Sequence, residues 1–90
     1  MMRNDAVVRA FSRGERAAAG ALRTDGRSLW SYNLKIAEKT LGGVVVADYT
    51  STGGAFRSQT TSSHVNLAKR VADTIMLAEV FERTFVKMPF

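Results

Sequence analysis

Residues 28–47 read SLWSYNLKIAEKTLGGVVVA, and this stretch decides the fold. Trp30, Tyr32, Leu34 and Ile36 recur every second residue, the spacing that puts side chains on one face of a strand. Ser31 and Lys35 then fall on the other face. Gly42-Gly43 makes a turn, and Val44-Val45-Val46-Ala47 is a β-branched run that reads as a second strand. Upstream, Asp25-Gly26 is a turn signal of the kind that closes hairpins. Downstream, 48–54 is a polar loop, and Ala55-Phe56-Arg57-Ser58 reads as a third, shorter strand.

Helices are expected on both sides of these strands. Val7, Val8 and Phe11 follow helical spacing after Asn4-Asp5, either of which can cap the free amides of a first turn. Gly14 fits the position after that helix. Residues 15–20 are open to either reading: alanines that could extend the helix, with a glycine at each side. The best helical pattern comes last. Thr61 or Ser62 reads as its cap, and Val65, Ala68, Val71, Ala72, Ile75 and Met76 line one face. The continuation through Leu77, Val80, Phe81 and Phe85 drifts around the axis. The expected architecture is a single α+β domain over 1–90: a two-layer sandwich with a short N-terminal helix, a three-stranded antiparallel sheet and a long C-terminal helix.

Composition bounds the function. Ninety residues with 46% apolar and 23% charged side chains suit one small globular domain. There is no apolar run of spanning length and no visible signal-peptide pattern, so a cytoplasmic protein without a membrane role is expected. The chain has no cysteine and one histidine, His64, which leaves no thiolate or His-rich metal site. The expectation is no metal and no cofactor.

The net charge is +5, and six arginines (Arg3, Arg9, Arg13, Arg16, Arg23 and Arg27) fall in the first 27 residues. Such a balance favours nucleic acid or an acidic protein face. One contiguous basic face would favour nucleic acid, and dispersal would favour a protein. No phosphate-binding loop, zinc-protease motif or nucleophile elbow occurs. Ser62, His64 and Asp73 do not form a triad by spacing, and Asp25 and Asp48 are explained by turns and strand ends. The protein is therefore expected not to be an enzyme.

Three groups stand out as binding candidates. Eight hydroxyls fall between Thr50 and Ser63, around Arg57 and ahead of a helix. Ser62, Ser63, His64 and Arg57, with Lys69 and Arg70 further on, could contact phosphate; capping and turns explain the same hydroxyls. Trp30, Tyr32, Tyr49 and Phe56 would stack bases if exposed, and would cover the helix layer if not. Phe81, Phe85 and Phe90, with Met88, exceed what a small core needs and suggest a surface for a partner or for a homodimer.

Two resemblances add to this reading. Leu22-Arg23-Thr24-Asp25-Gly26, Leu29-Trp30-Ser31-Tyr32, Ile36-Ala37-Glu38 and Thr60-Thr61-Ser62-Ser63-His64 together resemble a family of small bacteriophage-encoded proteins of unknown function, over about residues 5–75. The resemblance implies an accessory role: non-catalytic binding to a host protein or defence complex, as anti-CRISPR inhibitors do. Separately, the order helix, three strands, helix is similar to the double-stranded-RNA-binding domain, whose second helix Ala68-Lys69-Arg70-Val71-Ala72 resembles. That domain grips phosphates with lysines at the start of this helix. Ser62-Ser63-His64 stand there instead.

Overall fold

The computed structural model of the protein describes residues 3–50 and 54–86. Helix α1 (Asn4–Ser12) is followed by strands β1 (Ala17–Ala19), β2 (Leu22–Thr24), β3 (Ser28–Ser31), β4 (Leu34–Thr40) and β5 (Gly43–Ala47). Helix α2 (Gln59–Ala68), a 3-10 turn (Lys69–Val71), strand β6 (Thr74–Met76) and the short helix α3 (Ala78–Phe81) complete it, with a π-helical turn (Glu82–Val86) after α3. The strands form one sheet in chain order; β1 to β5 are antiparallel neighbours and β6 runs parallel to β5.

This corrects the expected architecture. The class is α+β, but among the described residues the sheet has six strands and is mixed, and no long C-terminal helix forms. The order of elements therefore also departs from the double-stranded-RNA-binding domain. The single strand expected over 28–40 breaks at Tyr32-Asn33 into β3 and β4. Tyr32 takes φ 56°, and its amide donates to the Ala21 carbonyl at 2.7 Å. The alanines of 17–19 pair with β2 as an edge strand, while 55–58 forms no strand.

The last expected helix stops early for a physical reason. Val71, Thr74 and Ile75 are β-branched and gain little as helix. Extended, Thr74 and Ile75 give the open edge of β5 a partner, while Val71 ends the 3-10 turn before it. The Asp73 carboxylate accepts from the Val44 amide at 2.8 Å, and the Asp73 amide donates to the Val44 carbonyl at 2.9 Å. Both helix caps also differ from expectation. Arg3, which makes no side-chain cap, precedes α1; Ser58 caps α2, its hydroxyl accepting from the Thr61 amide at 3.1 Å. Gly14 does take the left-handed conformation, φ 77°.

Helices α1 and α2 cover one side of the sheet. Val7, Val8 and Phe11 of α1 and Val65 and Ala68 of α2 are buried with Leu22, Leu29, Val44 and Val46. Burying each large side chain of this set contributes about 1.5–3 kcal/mol. The C-terminal segment lies on the other side, where Lys35 Nζ donates to the Phe85 carbonyl at 3.2 Å. Phe81 is fully buried, and Phe85 packs against it with ring centroids 5.0 Å apart. Phe81 therefore offers no surface to a partner, whereas Phe85 is half-buried; Phe90 and Met88 lie outside the described residues.

Candidate functional site

Strand β3 and helix α2 meet through three polar side chains. Ser31 Oγ lies 2.7 Å from His64 Nδ1 and 3.1 Å from Thr61 Oγ1, and all three residues are buried. Thr61 and His64 are three apart, so one face of α2 presents both to the sheet. The proton positions follow from counting donors. If Thr61 donates to Ser31 and Ser31 donates to Nδ1, every buried hydroxyl proton has an acceptor. The reverse direction strands the Thr61 proton in the interior. The first arrangement puts the imidazole proton on Nε2. Burial holds the His64 pKa below its ordinary value, so the ring is neutral near pH 7.

The ring lines a 670 Å³ open cavity at one end of the sheet. Arg3 and Asn4 at the start of α1, Thr60 in the first turn of α2, Gly20 between β1 and β2, and Tyr32 complete its wall. No fully buried side-chain nitrogen or oxygen lacks a partner among the described residues, and only Nδ1 of His64 is hydrogen-bonded. Nε2 is therefore the edge of the ring that the cavity reaches. No carboxylate orients this imidazole, and Ser31 spends its hydroxyl proton on Nδ1. The arrangement presents a fixed hydrogen-bond donor.

The other residues singled out in the sequence are not brought together here. Arg57 pairs with Glu82 at 3.0 Å and lies over the Tyr49 ring. Tyr49 is itself buried, its phenol donating to Glu82 at 2.7 Å, and burial pushes its pKa well above the ordinary value. Lys69 pairs with Asp48 at 3.0 Å. Arg70 lines a separate groove between α1 and α2 with Leu67 and Asp5. Ser62 is half-buried and Ser63 exposed, on the helix that carries His64. Phe56 is exposed.

A second arrangement was hidden in the sequence. Register places Arg23 opposite Trp30, and Trp30 opposite Lys35. The two-residue turn at Tyr32-Asn33 puts Trp30 and Lys35 on one face, which alternation along a single strand would deny them; the shift between Leu29 and Trp30 passes over Ile36 and brings Glu38 opposite Ser28. Arg23 stacks over the indole at 4.5 Å, and Lys35 Nζ lies 6.0 Å from the ring centre. Glu38 anchors this row: it pairs with Lys35 at 3.5 Å and Arg27 at 3.1 Å, and accepts from the Ser28 hydroxyl. Arg16 lines a shallow depression with Arg23. This cationic, aromatic row lies on the side of the sheet away from α1 and α2, since Trp30 alternates with Leu29 and Ser31, which face the helices.

Fold and site define an α+β domain with a neutral, buried histidine at one end and an arginine-flanked, half-buried tryptophan on the side of the sheet where the C-terminal segment lies. No family model matches the chain, and no curated protein or solved structure matches it. Among the described residues, no helix is long and apolar enough to cross a membrane, and no group of three or more histidine and carboxylate side chains could hold a metal ion.

Proposed function

We propose that this chain is a small accessory protein that acts without chemistry, by docking the Arg23–Trp30–Lys35 row onto an acidic face of a host protein. The observation that carries this is the state of the indole. Its face is stacked under a guanidinium 4.5 Å away, so that face is not open to a base, and the pair forms one cationic, apolar unit. Tryptophan and arginine are the side chains that most often dominate protein interfaces. Arg27 and Lys35 share the one Glu38 carboxylate, and with Arg16 and Arg23 the row keeps a positive excess, which suits an acidic partner.

Two further points support the reading. The basic side chains expected to grip phosphate are dispersed, with Arg57 and Lys69 each held by a carboxylate. The resemblance to small phage proteins fits an inhibitor of a bacterial defence complex, working in the cytoplasm of the infected cell. The test is affinity capture from host lysate with the wild-type chain, Arg23→Glu and Trp30→Ala, alongside oligonucleotide titration at several salt concentrations. The reading expects one protein retained by the wild type and lost by both variants. Tight oligonucleotide binding that falls steeply with salt and depends on Arg23 would overturn it.

A further inference from the structure

The cavity beside His64 lies apart from the Arg23–Trp30–Lys35 row, and that row does not explain it. The starts of α1 and α2, nine and ten residues long, both reach it through Asn4 and Thr60. Helix N-termini present free amides and the positive end of the dipole. Arg3 stands at the rim, its exposed guanidinium 3.7 Å from Asp5, a solvent-exposed pair that a phosphate can displace. His64 is 3% exposed, and its unpartnered Nε2 is the part of the ring that faces this space. The Ser31 hydroxyl holds Nδ1, so the ring is fixed and Nε2, accessible from the cavity, is left free to bond a ligand.

Tyr32 supplies a different chemistry at the same wall. It is 57% exposed, and the tight turn holds it at φ 56°, where an aromatic residue is rare. An anion alone would not use such a ring; a flat heteroaromatic group beside the anion would. We propose that this cavity binds a nucleotide phosphate, with His64 Nε2 and Arg3 on the phosphate oxygens and the Tyr32 ring against the base. A free mononucleotide and the 5′-phosphorylated end of a strand share this chemistry.

His64 is the chain's one histidine, so its ring nitrogens are unambiguous NMR reporters. The probes are adenosine monophosphate, adenosine, inorganic phosphate and 5′-phosphorylated diadenosine. Adenosine monophosphate is expected to shift the Nε2 resonance saturably, and adenosine to bind at least about tenfold more weakly, as the loss of charge-assisted hydrogen bonds requires. Tighter binding of the dinucleotide identifies a strand end as the source; equal or weaker binding identifies a free nucleotide. Arg3→Gln and Tyr32→Gly alter exposed side chains, keep the fold, and should each weaken adenosine monophosphate several-fold. An Nε2 signal unmoved by adenosine monophosphate, equal affinity for adenosine, or unchanged affinity in both variants overturns the assignment. Arg23→Glu should leave this binding intact, which keeps it separable from the docking face.

Discussion

Ser31 and His64, thirty-three residues apart in the chain, meet at 2.7 Å inside the domain and tie the middle of the sheet to helix α2. This contact fixes the tautomer of the ring and the register of α2 on the sheet. Ser31→Ala should therefore leave Nδ1 and the Thr61 hydroxyl without a partner. The expected loss is about 1–3 kcal/mol, the usual cost of an unsatisfied buried group. Chemical denaturation checks it, and a double-mutant cycle with His64→Asn should return a coupling energy well above zero.

The same burial makes stability depend on pH. The folded pKa of His64 is lowered, so between that value and 6.5 the unfolded chain binds more protons than the folded one. Stability is at its full value above 6.5 and falls as the pH drops from there through the folded pKa. Denaturation curves across this window should show the loss, and His64→Asn should remove that part of the slope.

Tyr32→Gly should hold or raise stability. A tyrosine at φ 56° stores backbone strain that glycine does not, and this ring is too exposed to contribute much burial. The expected gain is up to about 1 kcal/mol, partly offset by the entropy of the freer unfolded chain. A fall in Tm of several degrees would show that the ring packs more than its exposure implies.

Gly43→Ala should do the opposite. Gly43 sits at φ 120°, and a Cβ there would run into the Asp73 carboxylate. That carboxylate holds the Val44 amide where β6 joins the sheet. Strain and the displaced acceptor together should cost about 2 kcal/mol or more. Amide exchange should speed up in β6 before it does in β3.

Part of this architecture was legible in the sequence. The turn at Asp25-Gly26 and the strand over 44–47 carry strong local chemistry and the structure keeps them; the turn expected at Gly42-Gly43 falls one residue earlier, at Leu41-Gly42, with Gly43 opening β5. The Tyr32-Asn33 turn carries no such chemistry, because tyrosine rarely occupies positive φ. Missing that turn merged two strands and assigned Trp30 and Lys35 to opposite faces. Strand β6 was masked by a helical period that runs through Val71, Ile75 and Met76; the edge of β5 decided the state of the last two. The alanines of β1 have no strand preference and are set by pairing with β2. At the site, His64 was singled out in the sequence with Ser62 and Ser63 as its neighbours. Its real partner is Ser31, and no spacing in one sequence announces a contact across thirty-three positions.

The most direct measurement is photo-cross-linking from residue 18, where the exposed Ala18 pairs with Arg23 at the margin of the Trp30 row. A photoreactive side chain placed there in the full-length protein should, in host lysate, join to one protein reproducibly. Unlabelled wild-type chain should compete that product away, and Arg23→Glu should not. Cross-links to nucleic acid, or products that both competitors suppress equally, would contradict docking through this face.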